Sequence, residues 1–121
     1  MKRICIDLDG TICELRQDGE TYGDVRPKPG AAARIRELRQ SGYYIVIHTA
    51  RQMATCDGNV GKVMKNVGLI TMEWLVRHEI EYDELYFGKP NADLYLDDRA
   101  VRFTGWDEVT ADLIAQKSKP K

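Results

Sequence analysis

Four short segments carry the residue types from which a phosphoryl-transfer site can be built. They are Asp7-Leu8-Asp9-Gly10-Thr11, Thr49-Ala50-Arg51, Gly88-Lys89-Pro90 and Asp97-Asp98-Arg99. Phosphate monoesters hydrolyse very slowly without help. A carboxylate nucleophile divides that reaction into two easier steps through an aspartyl-phosphate. Asp7 and Asp9 are two residues apart, so an extended backbone sends both side chains the same way. Asp7 is the candidate nucleophile. Asp9 would protonate the leaving oxygen and then deprotonate the attacking water. An ordinary aspartate has a pKa of about 3.9, so an acid near neutrality needs a shift of roughly 3 units, about 4 kcal/mol. Neighbouring carboxylates push in that direction.

The other residues extend the same chemistry. Asp7, Asp9 and Asp97 crowded together would repel, and an oxygen-rich set of this kind suits Mg²⁺. That ion would also neutralise the incoming phosphate. The Thr49 hydroxyl would donate to a phosphoryl oxygen. Lys89 would offset the nucleophile's charge and stabilise the transferring group. Gly10 permits a tight turn whose N–H groups reach a phosphate. Thr11, Ala50 and Arg51 are candidates beside it for holding the substrate. Arg51 and Arg99 could equally pair with Asp98.

The elements that would position these residues alternate between strand and helix. Arg3–Leu8 reads as a strand ending in charge. Residues 11–26 are polar, contain Asp18-Gly19 and Tyr22-Gly23, and read as a loop or small hairpin. Pro27 and Pro29 open a helix with Ala31, Ile35 and Leu38 at i, i+4 and i+7, closed by Gly42. Tyr43–His48 is an almost continuous apolar strand, the pattern of a sheet covered on both faces. Residues 51–68 read as irregular because of Asp57-Gly58-Asn59 and Gly61. Leu69, Met72 and Val76 mark the apolar face of a helix running to Glu79, flanked by Trp74 and Leu75. Glu84–Phe87 is a third strand, Leu94–Leu96 a fourth and Val101–Phe103 a short fifth. Trp106, Val109 and Leu113 lie on one face of a final helix. This alternation predicts a parallel sheet with helices on both faces. In such a sheet the carboxyl ends of the strands face one crevice, where ligands bind. All four segments would meet there.

Composition sets the bounds. The 121 residues suit one domain, placed at residues 1–115 with a flexible tail at 116–121. Eighteen basic and nineteen acidic residues give a formal charge of −1, which does not suggest nucleic acid or a membrane surface as partner. The apolar runs are too short to cross a bilayer, and the first aspartate comes too early for a signal peptide. Cys5, Cys13 and Cys56 lack metal-ligand spacing and fit a reducing, cytoplasmic setting. Cys5 reads as a small buried hydrophobe. His48 reads as structural, and His78 as lying on a solvated helix face.

The ordered set of four segments resembles the haloacid dehalogenase-like superfamily. Asp7-Leu8-Asp9-Gly10-Thr11 is similar to its first motif, Thr49 to its second, Lys89 to its third and Asp97-Asp98 to its fourth. The resemblance implies an α/β Rossmann-like three-layer domain with a central parallel sheet. It also implies Mg²⁺ held by the Asp7 and Asp97 side chains and the Asp9 carbonyl, with Asp98 acting through water or from behind. Gly58-Asn59-Val60-Gly61-Lys62, Gly88-Lys89-Pro90 and Leu96-Asp97-Asp98-Arg99-Ala100 resemble short members associated with capsule or surface-polysaccharide biosynthesis. A cap domain has no room here, since only about fifteen residues separate Thr11 from Pro27. The expectation is therefore a capless, Mg²⁺-dependent phosphomonoesterase with an open site. Its substrate would be a small sugar or polyol phosphate, and a homo-oligomer could help to close it. The rim would offer Arg16, Tyr22, Arg26 and Arg51. The alternatives are a phosphatase of nucleic-acid ends or phosphoproteins, and a phosphate-sensing scaffold without turnover.

Overall fold

Three short apolar runs become the strands of one parallel sheet. In a computed structural model describing residues 2–118, strand β1 spans Arg3–Asp7, β2 Tyr44–Thr49 and β3 Glu84–Phe87. The order is β1-β2-β3. Asp7 pairs in register with His48, and Thr49 with Phe87, so the three carboxyl ends lie close together.

Helix α1, Ala31–Gln40, follows the loop after β1 and buries Ala31, Ile35 and Leu38, the expected stripe. Gly42, at φ 97°, turns the chain out of the helix, and Tyr43 N–H closes on the Leu38 carbonyl at 3.1 Å. This αL exit is open to glycine without steric cost. Helix α3, Leu69–Arg77, links β2 to β3. Parallel crossovers are right-handed, so two crossovers stepping the same way across the sheet bring α1 and α3 to the same face. The core confirms this. Ile6, Leu8, Ile45 and Ile47 join Ile35, Leu38, Trp74 and Leu75 in one buried cluster. Each such side chain contributes roughly 1.5–3 kcal/mol when fully buried. The Trp74 indole N–H donates to the Val25 carbonyl at 2.8 Å and ties the 11–26 loop to α3.

The opposite face carries Arg3, Cys5 and Tyr86 exposed, with Asp7, Tyr44 and His48 partly so; Val46 is buried there. The cover expected on both faces is thus built into the core cluster on one. Cys5, expected to be buried, is exposed because it points to this second face on the terminal strand.

Four further expectations are corrected. Residues 60–68 are helical rather than irregular. Helix α2, Val60–Val63, runs through a π-helical turn, Met64–Gly68, into α3. Asn59 is its cap, accepting from Lys62 N–H at 3.1 Å, so a residue that looked like a breaker starts the helix. On α3 the buried residues are Thr71, Trp74 and Leu75, whereas Leu69, Met72 and Val76 are exposed. Leu94–Leu96 and Val101–Phe103 are not strands. No β-pairing forms in residues 88–105, and Leu94 and Leu96 are 74% and 97% exposed. Finally, Trp106–Glu108 is a 3₁₀ turn, and the last helix, α4, begins at Ala111 where the Thr110 side chain caps Leu113 N–H. Helix α4 runs to Lys117, so the expected tail begins helical, and residues 119–121 of it lie outside the described residues. Among the described residues no helix is long and apolar enough to cross a membrane.

Candidate active site

The sheet brings the first three motif segments together. Asp7 ends β1, Thr49 ends β2 and Lys89 follows β3. The Lys89 backbone N–H donates to the Thr49 carbonyl at 3.1 Å, extending the β2–β3 pairing by one step. The Lys89 ammonium then reaches Asp7 Oδ1 at 3.2 Å. Asp7 keeps 31% of its side-chain surface exposed, so it is neutralised yet reachable.

Asp9 is held more firmly. Its Oδ2 accepts from the Thr49 hydroxyl at 2.8 Å, and its Oδ1 from Arg51 Nε at 2.9 Å. The Arg51 side chain is 1% exposed. Its other nitrogens donate to Thr71 Oγ1 at 2.9 Å and to Cys13 Sγ at 3.6 Å, and its guanidinium lies 4.2 Å from the Tyr22 ring centre. Two expectations change here. Arg51 is not a rim residue but a buried strut behind Asp9. The Thr49 hydroxyl points at Asp9. Arg51 was open to pairing with Asp98, and it pairs with Asp9 instead, because both meet the chain just after adjacent strands.

Gly10 adopts φ 85° and its N–H donates to the Cys13 carbonyl at 2.8 Å. Thr11 N–H closes on the Leu8 carbonyl at 3.3 Å, and the Thr11 carbonyl accepts from the Trp106 indole at 2.7 Å. Ala50 is partly exposed beside Arg51. A cavity of about 330 Å³ opens next to Gly10, bordered by Leu15, Arg26 and Lys28 from the polar loop. Asp97 lies elsewhere, on the exposed 88–105 segment, where its Oδ1 accepts from Arg99 N–H at 2.8 Å. Asp98 and Arg99 are exposed on the same segment.

Magnesium asks for several oxygen donors from one site. Among the described residues no three His, Cys, Asp or Glu side chains come close enough to hold a metal ion. Asp7 is engaged by Lys89 and Asp9 by Arg51 and Thr49, while Asp97 accepts from Arg99 N–H on the exposed segment. The donor set among the described residues therefore does not fit the ion.

Sequence reasoning missed three neighbours, Thr71, Tyr95 and Cys13, and placed a fourth, Tyr22, on the rim. Thr71 is a fully buried hydroxyl on an otherwise apolar helix face, a signal visible only once the correct face is known. Tyr22 and Tyr95 place their rings on Arg51 and Lys89, the latter at 4.2 Å. Cys13 lies 3.7 Å from Asp9 Oδ1, and burial, with the Asp9 charge behind it, pushes its thiol up to about 12. It stays protonated and inert as a nucleophile. His48, beside Asp7 in the register, is held below its ordinary pKa by burial first and by the Lys89 charge second. His78 is lowered too, mainly by burial, and packs on Trp74 at 4.5 Å between ring centres.

Comparison with known proteins places the chain. The crystal structure of a Vibrio cholerae protein, a structural-genomics target, is 39% identical, covers 97% of this chain and 96% of its own, and superposes with a TM-score of 0.86. The chain belongs to the family of that protein. The architecture is haloacid dehalogenase-like, and among the described residues there is no cap. D,D-heptose 1,7-bisphosphate phosphatase from B. bronchiseptica, complexed with magnesium and phosphate, shares this fold at a TM-score of 0.52 and 18% identity. The match covers 77% of this chain and 52% of that one. A chain of the Pnkp1/Rnl/Hen1 RNA repair complex does so at 0.51 and 22%, covering 81% of this chain and 28% of its own. No family model and no curated protein matches the sequence.

Proposed function

We propose that this chain is a phosphomonoesterase that works through an aspartyl-phosphate on Asp7. The observation that carries this reading is the half-buried Asp7 carboxylate at the end of β1 with the Lys89 ammonium 3.2 Å away. That placement neutralises a nucleophile on the crevice side of the sheet, where an anionic substrate would arrive. An Asp7 oxygen attacks phosphorus, the bond to the leaving oxygen breaks, and the proton on Asp9 passes to that oxygen. Water then attacks the aspartyl-phosphate, gives its proton to Asp9, and frees Asp7 and phosphate. Arg51 keeps Asp9 aimed, and the Thr49 hydroxyl gives up its bond to Asp9 Oδ2 while that oxygen carries the proton. The chain forms one domain over residues 1–115. Gly10, Thr11 and Ala50 border the phosphate.

The substrate is a small sugar or polyol phosphate, of the kind used in building surface polysaccharides. The cavity beside Gly10, walled by Arg26 and Lys28 together with Glu14, Gln17 and Glu20, suits a hydroxylated remainder. Magnesium dependence belongs to the proposal, as does a cytoplasmic, non-membrane setting for the three free thiols.

A phosphate-release screen with Mg²⁺ across sugar phosphates, polyol phosphates, nucleic-acid 3′ ends and phosphopeptides tests this reading. It predicts release from the first two groups and loss of it in Asp7→Asn. A second reading, phosphate binding without turnover, draws on the full engagement of Asp9 by Thr49 and Arg51. It predicts binding of phosphorylated ligands by a wild type inert across the screen.

A further inference from the structure

The sheet ends where a strand is missing. Among the described residues β1 pairs with β2 on one edge and with no strand on the other. An open edge is a template for another strand. The same chain carries a strand-like segment without a place. Leu94, Tyr95 and Leu96 are 74%, 48% and 97% exposed, and Val101 is 47% exposed. Apolar surface of this kind in water marks an interaction site. Immediately after Leu96 come Asp97 and Asp98, and among the described residues no third carboxylate joins Asp7 and Asp9 in a group that could hold a metal ion.

The segment is held away from its own sheet. The Tyr95 hydroxyl accepts from Ala92 N–H at 3.3 Å and donates to the Pro90 carbonyl at 2.5 Å. The Tyr95 ring lies on the Lys89 ammonium. These contacts turn residues 90–95 on themselves while Leu94 and Leu96 face solvent. The far end is fixed too, since Trp106 is buried and bonded to Thr11. The segment is thus an arm anchored at both ends. Folding it onto its own β1 would break the Tyr95 contacts. Docking it in the conformation it already has needs a second sheet, and the matching open edge is on an identical chain.

We propose that two copies of this chain exchange their 88–105 arms, each laying Leu94–Leu96 along the partner copy's β1 edge. Asp97 and Asp98 of one copy then stand beside Asp7 and Asp9 of the other. The exchange is reciprocal, as in a closed two-fold dimer. It covers the exposed leucines, removes the open edge, and assembles from two chains the carboxylate set that one chain lacks. This inference rests on the phosphatase reading only for its activity readout.

Three measurements on the full chain test it. Light scattering with size exclusion is expected to give a dimer at micromolar concentration, and Leu94→Asp/Leu96→Asp a monomer with an unchanged circular dichroism spectrum. Mg²⁺ alone is expected to raise the melting temperature of the dimer and not of that monomer. Co-refolding Asp7→Asn with Asp97→Asn, each inactive by itself, leaves one intact site per mixed dimer, and so about a quarter of wild-type activity overall. A monomeric wild type overturns the proposal. So does a dimer that survives the double substitution, or an active wild-type dimer whose mixed variants stay silent, since then the arm serves its own chain. A wild type that dimerises through the arm and gains Mg²⁺ stabilisation but releases no phosphate upholds the exchange and refutes the reaction.

Discussion

Two regions of this chain have the same kind of sequence and opposite fates. Arg3–Asp7 and Leu94–Asp97 each put apolar residues two apart before an aspartate. The first is a strand whose Ile6 is 7% exposed; the second is an arm whose Leu96 is 97% exposed. Local pattern does not separate them. The difference is company, because β1 has β2 to bond with and α1 to pack against, while the arm has neither within its own chain. Strand propensity records packing against neighbours more than an intrinsic backbone preference.

The contrast can be broken by substitution. The largest effect on stability is expected at Trp74, which is fully buried and also holds Val25. Trp74→Ala should cost about 3–5 kcal/mol in denaturant unfolding. Leu96→Ala, at the same protein concentration but below the dimer's dissociation point, should cost less than about 0.5 kcal/mol. A comparable loss at both positions would erase the distinction between body and arm.

A second effect concerns the strut behind Asp9. Arg51→Met removes the partner of a carboxylate and leaves the Thr71 hydroxyl and Cys13 without their contact. Breaking such a pair costs about 3–5 kcal/mol when both groups are buried. Asp9 retains 23% exposure, so roughly 2–3 kcal/mol is expected here. Turnover should fall as well, through kcat rather than KM, because Asp9 loses its aim. A stable Arg51→Met enzyme with unchanged kcat would mean that Arg51 does neither task.

The smallest effect lies on the outer end of the sheet. Asp83 accepts from Arg39 and from Ile45 N–H, both at 2.8 Å, and these hold its carboxyl below the ordinary value of 3.8. A lowered folded pKa gives stability that is present above the ordinary value and lost as pH falls through the folded one. Unfolding followed from pH 6 down past 3.8 should therefore show an acid limb that Asp83→Asn flattens. An unchanged limb would place the acid sensitivity elsewhere.

How much could be read in advance follows the same division. The α1 stripe of Ala31, Ile35 and Leu38, the Gly42 exit and strand β3 were legible because each is set by local periodicity and turn chemistry. Asp7, Thr49 and Lys89 converge because strand ends converge in a parallel sheet. The Arg51–Asp9 pair was not legible, since an arginine after a strand can turn inward or outward. The face of α3 was misread because Leu69, Met72 and Val76 form a good apolar stripe, yet the residues actually buried include Thr71, which Arg51 recruits. Leu94–Leu96 failed as a strand because its pattern is correct but its partner is not in the same chain's fold.

Covalent trapping on Asp7 tests the central claim most directly. Wild-type protein mixed with a substrate from the screen, quenched in acid within milliseconds and digested, should yield the peptide containing Asp7 heavier by one phosphoryl group. Asp7→Asn should yield none. Phosphate release by the wild type with no modified Asp7 peptide, or equal release by Asp7→Asn, would contradict the account.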